Sequence, residues 1–235
     1  MGPILNQLEL LNKIPLSRLN IIAIDGPVAT GKSVVGRLLA KRLGYRFLDS
    51  GAMYRAITWL AIDQGINVED HDSVSMLSSS STIELGQREG EVFINGHLVP
   101  LEGKRIEIDK KVSLIARLPK VREILVEQQQ HLAEGGNIVI VGRDIGTVVV
   151  PNAAVKLYFH ASTLERSKRR YQELLSRGHD VELDQVLDEI VTRDKLDSER
   201  VYSPLQPATD AHIIDTEGLD IKEVVENILK LIEVR

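Results

Sequence analysis

The chain has 235 residues and a formal net charge of −5, a balance that argues against a protein that binds nucleic acid through a basic surface. Aromatic residues make up only 4%, so no set of rings is expected for stacking single-stranded bases. There is no cysteine, which excludes disulfides and thiolate metal sites and is compatible with a reducing cytoplasm.

No run approaches the ~18 apolar residues that a membrane-spanning helix needs. Residues 1–18 lack the basic start and the long apolar stretch of a signal peptide, and we interpret them as an N-terminal extension. The length suits one α/β domain that carries an insertion. We expect a cytoplasmic monomer, because no exposed apolar stripe stands out.

In the first third of the chain, short apolar runs alternate with helical patterns. Residues 19–25 are rich in β-branched side chains and predict a buried parallel strand. Apolar residues at helical spacing then run to Gly44, a typical helix stop. A second strand is expected at 45–48 and a second helix at 52–64.

The pattern changes between residues 68 and 112. Serines concentrated in 73–81 indicate a polar connector, and apolar residues on either side of Asn95-Gly96 predict a β-hairpin. A hairpin inside an α/β pattern suggests an inserted subdomain. A helix is predicted to follow at 118–134.

The rest of the chain returns to alternation. It predicts strands at 137–141, 155–159 and 211–214, and helices at 162–177 and 182–198. A last amphipathic helix begins near residue 221. The fold class expected is therefore α/β, with a five-stranded parallel sheet covered by helices on both faces.

The segment after the first strand reads GPVATGKS and matches the phosphate-binding pattern G-x-x-x-x-G-K-[ST]. Backbone N–H groups of such a loop wrap phosphates, and we expect Lys32 to reach the β- and γ-phosphates and Ser33 to bind Mg²⁺. Chance matches occur, but the position between a buried strand and an amphipathic helix favours a functional loop. The residues predicted to hold the triphosphate are Gly26, Pro27, Val28, Ala29, Thr30, Gly31, Lys32, Ser33 and Val34.

Several arginines indicate which kind of phosphate-loop protein this is. The guanine-reading motif Asn-Lys-x-Asp of GTPases is absent, and the size suits a small kinase, which needs cations to neutralise the transferring group. Arg143 follows a predicted strand, and Arg55 lies in the second helix. Arg166, Arg169 and Arg170 form either a solvated helix face with a Glu165–Arg169 pair or a lid that closes over phosphates.

Five blocks of the sequence resemble the bacterial cytidylate kinases, which phosphorylate CMP and dCMP. They read IDGPVATGKS (24–33), LDSGAMYR (48–55), VSLIARLPKVR (112–122), VGRDIGTVVVPNA (141–153) and RDKLDSERVYSPL (193–205). The resemblance extends from about residue 20 to the C-terminus. The second and fourth blocks are much more specific than the phosphate loop.

The resemblance implies a role for each matching position. It implies ATP as phosphate donor, Mg²⁺, and direct in-line transfer to CMP or dCMP. It also implies a single domain over 19–235, with core segments 19–67, 114–162 and 200–235, a nucleotide-monophosphate-binding insertion at about 68–113, and a helical lid at about 163–185. The catalytic set implied is Lys32, Arg143, Arg55, Arg166 and Arg170, and the substrate-binding set is Ser50, Arg55, Ser113, Arg122, Arg143, Asp144, Arg193, Asp197 and Arg200.

The chemistry of these residues is compatible with such roles. Asp144 and Ser113 can accept from the exocyclic amine of cytosine, while arginines can donate to its carbonyl and N3. Simpler interpretations stay open: Asp144 could cap a helix, Asp197 and Arg200 could form an i,i+3 ion pair, and Ser113 could be an ordinary helix residue.

The sequence departs from the family at two places within the matched region. Val141 stands where many members have an acidic residue, so any help that this acid gives to Mg²⁺ must come from another group, such as Asp25 or Asp49. The loop interior, residues 28–30, is bulkier than usual, which matters little where only backbone N–H groups are needed. Two rivals follow: a kinase of another small substrate, and a nucleotide-binding regulatory domain without turnover.

Overall fold

A computed structural model describes residues 14–15, 21–86, 91–100 and 105–233. Most of the predicted extension at 1–18 lies outside these residues, but Ile14–Pro15 forms a short parallel pair with Ile232–Glu233. Within the described parts of the chain, no helix has the length and apolarity required to cross a bilayer.

The strands of the described residues lie in three sheets. The largest contains five parallel strands, in the spatial order Arg46–Asp49, Ile138–Val141, Ile21–Asp25, Val155–His160 and His212–Asp215, which confirms the predicted fold class. In chain order the strands are β1 (Ile14–Pro15), β2 (Ile21–Asp25), β3 (Arg46–Asp49), β4 (Ile83–Leu85), β5 (Val92–Ile94), β6 (His97–Leu98), β7 (Ile138–Val141), β8 (Val155–His160), β9 (His212–Asp215) and β10 (Ile232–Glu233).

Helices cover both faces of this sheet. Among the described residues the helices are α1 (Lys32–Leu43), α2 (Ser50–Asp63), α3 (His71–Ser79), α4 (Arg105–Ala116), α5 (Pro119–Ala133), α6 (Thr163–Ser176), α7 (Leu183–Ser198) and α8 (Ile221–Leu231), with a π-helical turn at Ile145–Val149. The predicted helices and core strands are thereby confirmed to within a few residues.

Strand β7 shows why the apolar runs become central strands. Successive side chains of a strand point to opposite faces. Ile138 and Ile140 pack in the core beneath α2 and α5, whereas Val139 and Val141 pack in the core beneath α1 and α8. All four are essentially inaccessible, and each such side chain contributes about 1.5–3 kcal/mol through burial.

The insertion carries the predicted hairpin. Asn95 and Gly96 have φ of 52° and 78°, the left-handed conformation that a tight hairpin turn requires. The hairpin strands β5 and β6 join β4 in a small antiparallel sheet.

The serine-rich segment was predicted as a connector, and that prediction is wrong, because residues 71–79 form helix α3. The Asp70 side chain caps this helix by accepting from the Ser73 N–H at 3.1 Å, and the Ser78 hydroxyl donates to the carbonyl of Val74. Val74 and Leu77 are buried. Packing and capping thus outweigh the weak helix propensity of serine. Helix α4 was not predicted at all.

Candidate active site

The phosphate loop, residues 26–33, joins the carboxyl end of β2 to the first turn of α1. The backbone conformation of the loop explains why two of its positions are glycine. Gly26 has φ of +143°, and a Cβ there would collide with the carbonyl oxygen of Phe159. Gly31 has φ of +87° and precedes the helix as its N-cap. The motif therefore adopts the loop-to-helix geometry that presents backbone N–H groups and a helix N-terminus to an anion.

Lys32 is buried and folds back on the loop. Its Nζ donates to the carbonyl of Pro27 and to the Thr30 hydroxyl at 3.1 Å. Burial, reinforced by the neighbouring Arg143, lowers its pKa well below the usual lysine value, while nearby carboxylates oppose this. A phosphate placed in the loop would add negative charge beside Lys32 and favour its charged form.

Ser33 and Asp49 place a hydroxyl and a carboxylate side by side next to the loop. The Ser33 hydroxyl donates to Oδ2 of Asp49 at 2.9 Å, and Arg55 lies 3.4 Å from the same oxygen. Burial opposes the charge on Asp49, but Arg55, Ser33 and Lys32 together hold its pKa below the ordinary value. A hydroxyl and an ionised carboxylate fit the oxygen preference of Mg²⁺.

No three metal-ligating side chains gather anywhere in the residues that the structure describes. The hydroxyl of Ser33 and the carboxylate of Asp49 fit Mg²⁺ as kinases usually bind it. In such sites one or two protein oxygens contact the ion, and water and substrate phosphate complete the coordination shell.

Asp25 performs a different task from Asp49. Its two carboxylate oxygens accept from the backbone N–H groups of Ile145 and Gly146, each at 2.8 Å. Asp25, the last residue before the phosphate loop, thus links the start of that loop to the turn that follows Arg143 and Asp144. Asp25 and Asp49 were the two acids that could replace the acidic residue usual at position 141. Of the two, Asp49 is the one beside Ser33.

Asp25 also gives the fold a pH dependence. Burial raises its pKa to about 6, against the opposing effect of the two N–H donors. The folded protein therefore binds this proton more tightly than the unfolded chain, and the contribution to stability falls as pH rises from about 4 to about 6. Taking 3.8 as the unfolded value, the loss amounts to about 3 kcal/mol.

We expect Asp25→Asn to cost more stability at pH 4 than at pH 7, because the wild-type protein alone loses this contribution with rising pH. Urea unfolding of both proteins at a series of pH values measures the difference. A cost that grows with pH would mean that the N–H donors dominate and that the pKa of Asp25 is lowered.

Arg143 and Asp144 point to two different parts of the site. Arg143 donates from Nε to Asp197 at 2.8 Å. Asp144 forms a buried ion pair with Arg122 and lies 3.6 Å from Nη2 of Arg200. One side of this strand end thus carries a cation close to the phosphate loop, and the other carries a carboxylate held between two guanidinium groups.

These contacts decide between the simpler interpretations. Asp144 stands at the N-terminus of the π-helical turn, but its side chain makes no capping hydrogen bond. Asp197 is ion-paired with Arg143 rather than in the i,i+3 pair with Arg200 that the sequence left open. The Glu165–Arg169 pair does form, at 3.0 Å.

A cleft of about 1240 Å³ connects the two parts. The predicted substrate-binding residues all line it, as do Lys32, Ser33 and Arg170. Among the described residues, the Nε atoms of Arg55 and Arg193 are buried without a hydrogen-bond partner. Buried donors left unpaired are costly, so both indicate where an anionic or polar ligand fits. Ser50 lines the same cleft and is fixed by a 2.9 Å hydrogen bond to the carbonyl of Val141.

The three arginines of α6 separate in the structure. Arg166 is outside the cleft and only 3% exposed; it pairs with Asp194 and donates to the carbonyl of Val28 at 3.3 Å. Arg169 donates to Thr216. Of the three, only Arg170 lines the cleft. The interpretation of all three as a solvated face is therefore wrong.

Sequence reasoning missed several residues of this site. Asp194, which holds Arg166, is in the RDKLD block beside Arg193, and its acidic character was the only signal. Unlike Asp194, Asp109 lines the cleft, and it pairs with Arg170 at 2.8 Å. Asp109 lies outside the five blocks, so no motif indicated it. Tyr54 was quoted in a block but given no role, although Arg122 lies over its ring at 5.6 Å.

Comparison with known proteins gives one consistent result. Residues 22–234 match the protein family described as cytidylate kinase. The chain is 46% identical over 216 residues to a cytidylate kinase from Geobacillus, covering 91% of this chain and 96% of the relative. It is 46% identical over 214 residues to a cytidylate kinase from Bacillus subtilis, covering 90% and 96%.

A solved structure supports the fold alone. The crystal structure of an uncharacterized protein from Eubacterium ventriosum matches with a TM-score of 0.50 at 15% identity and covers 93% of this chain and 100% of that one.

Proposed function

Because the chain belongs to the cytidylate kinase family, we propose that it transfers the γ-phosphoryl group of ATP directly to the phosphate of CMP and dCMP, as a cytoplasmic monomer. The observation that carries this proposal is the arrangement of Arg143 and Asp144, adjacent residues that line one cleft and take different partners there, Asp197 and Arg122. A monophosphate nucleotide has a phosphate at one end and a base at the other.

The base end favours cytosine. The carboxylate of Asp144 accepts from the exocyclic amine, Ser113 offers a hydroxyl, and Arg122 and Arg200 donate to the ring carbonyl and N3. Uracil places a carbonyl where the amine stands, which would face the carboxylate. A buried polar group left without its partner makes such a site reject the wrong base.

The phosphate end places cations around the transferred group. Arg143 and Arg55 bind the acceptor phosphate, while Lys32 and the N–H groups of the phosphate loop bind the donor. A phosphate oxygen is already nucleophilic, so positioning and charge neutralisation account for the catalysis. Ser33, with Asp49 beside it, would hold Mg²⁺, which supplies further charge neutralisation at the β- and γ-phosphates.

The remaining assignments complete the proposal. Arg193, Asp197 and Ser50 bind the sugar, the segment 68–113 receives the monophosphate, and the helices over 163–185 form the lid. Arg166 contributes by anchoring α6 to the phosphate loop, and Arg170 is the arginine of the lid that faces the cleft.

The Ser33–Asp49 contact argues against a regulatory domain without turnover, since it offers oxygen ligands despite Val141.

An acceptor screen with ATP and Mg²⁺ tests the proposal. We expect kcat/KM for CMP and dCMP to exceed those for UMP and AMP by at least about a hundredfold, because a hydrogen-bonded base site rejects unmatched analogues strongly. Release of ADP, measured in a coupled assay, gives the rates. A preference for UMP or AMP would contradict the proposal, and an absence of CMP-stimulated ADP release would favour the regulatory rival.

A further inference from the structure

An ion pair crosses the cleft between α6, which belongs to the proposed lid, and α4, which belongs largely to the proposed monophosphate-binding insertion. Nη2 of Arg170, on α6, lies 2.8 Å from Oδ2 of Asp109, on α4, and the two side chains are only 15% and 13% exposed. Both residues line the cleft. The other amino group of Arg170 pairs with Glu173 one turn along its own helix, also at 2.8 Å. The guanidinium of Arg170 is thus shared between a local carboxylate and a distant one.

One turn nearer its N-terminus, helix α6 contacts the donor site. Arg166 is one helical turn before Arg170, so the two side chains lie on one side of α6. Arg166 donates to the carbonyl of Val28, which belongs to the phosphate loop, and is held by both oxygens of Asp194 at 3.1 and 2.5 Å. Val28 and Ala29 also pack against the small apolar cluster formed by α6 and α7. A displacement of α6 therefore strains the loop that holds ATP.

Helix α4 contacts the acceptor site in the same manner. Asp109 and Ser113 are four residues apart, so they lie on one face of α4, and both line the cleft. Val112, between them, is buried and belongs to the core beneath the central sheet. The face that presents Ser113 to the base is thus the face that presents Asp109 to Arg170.

We propose that Asp109 is a positioning residue that holds Arg170 across the cleft and thereby couples the binding of the nucleotide monophosphate to the binding of ATP. The inference rests on the proposed function. The physical connection runs from the Val28 carbonyl through Arg166, along α6 to Arg170, across the ion pair to Asp109, and along α4 to Ser113. By linkage, whichever nucleotide binds first raises the affinity for the other by the same factor.

Removing the carboxylate of Asp109 interrupts this connection at one point. Of its ion pairs with described residues, Arg170 then retains the one with Glu173 on its own helix, and the ion pair between α4 and α6 is lost. The contacts of Arg166 with the phosphate loop remain. Binding of ATP alone is therefore preserved, while its dependence on the second nucleotide is reduced.

The test measures the dissociation constant of a non-hydrolysable ATP analogue with Mg²⁺, by calorimetry, without and with saturating CMP. We expect CMP to tighten analogue binding by about tenfold in the wild-type protein, within the usual range of coupling between sites. Asp109→Asn should reduce this factor to below about twofold, while the affinity for the analogue alone changes less than about threefold. Asp109→Glu, which keeps the charge, should restore part of the coupling.

Glu107→Gln provides the matched control. Glu107 is on the same helix, exposed, and pairs with Lys111 at 3.0 Å within that helix. This variant should keep the wild-type coupling factor, and thermal unfolding should show all variants folded. The inference is overturned if Asp109→Asn retains the wild-type factor, or if the wild-type protein binds both nucleotides independently. A wild-type protein that does not bind CMP would overturn the proposed function as well.

Discussion

Replacing Arg143 by alanine should lower kcat/KM for CMP by about a thousandfold, the scale expected when a cation that stabilises a transferring phosphoryl group is removed. Arg143 follows the buried strand β7, beside the phosphate loop, and is oriented by Asp197 at 2.8 Å. Its loss removes positive charge at the acceptor phosphate and leaves the carboxylate of Asp197 without its partner. Steady-state kinetics with CMP as the varied substrate measures the effect.

Two further variants separate the charge of Arg143 from its geometry and from general effects. Arg143→Lys keeps the charge but not the planar guanidinium, so its activity should lie between those of the wild type and the alanine variant. Arg42→Ala removes an exposed arginine that pairs with Glu226 at the surface, and should leave kcat/KM unchanged within about twofold. Wild-type kinetics in Arg143→Ala, with the protein folded, would contradict the assigned phosphate contact.

The parts of the site that the sequence predicts well are contiguous. The phosphate loop is encoded in eight consecutive residues, and both Gly26 and Gly31 have positive φ, a local property that favours glycine. The strand that precedes the loop can be recognised because a central parallel strand is buried on both faces and reads as an uninterrupted apolar run. The same reasoning located β7 and therefore Arg143 at the carboxyl end of a strand.

Contacts between distant segments could not be predicted in this way. The Arg166–Asp194 and Arg170–Asp109 pairs join residues 28 and 61 positions apart. Nothing in the spacing of charged residues on a helix says whether an arginine faces solvent or another helix. The alternative of a single solvated arginine face failed for this reason, because Arg166, Arg169 and Arg170 each contact a different partner.

Position 141 illustrates the difference between a family pattern and a physical requirement. The side chain of Val141 is buried against α1, and its main-chain carbonyl fixes Ser50. A backbone acceptor does not depend on the residue type, so this contact survives the departure from the usual acid. The carboxylate near Ser33 comes from β3 instead, through Asp49. Only the arrangement of two neighbouring strands reveals this.

Asp144→Asn should lower the preference for CMP over UMP by about a hundredfold or more, the scale of selectivity that a hydrogen-bonded site provides. Asparagine has nearly the same shape but can donate from its amide, so it can pair with the carbonyl that uracil carries in place of the amine of cytosine. The neutral amide also leaves Arg122 and Arg200 without the carboxylate that both adjoin. We therefore expect kcat/KM for CMP to fall while that for UMP stays the same or rises.

Asp210→Asn controls for the loss of a carboxylate as such, because Asp210 is exposed and bonds Lys156 through both oxygens at 2.9 and 2.8 Å. Asp210 is not among the residues that line the cleft, so its replacement should leave the ratio of CMP to UMP activity unchanged. Asp144→Asn is informative even if both activities fall, since the ratio cancels a general loss of folded enzyme. An unchanged ratio in that variant would mean that the base is recognised without Asp144, and that the carboxylate serves only to hold Arg122 and Arg200 together.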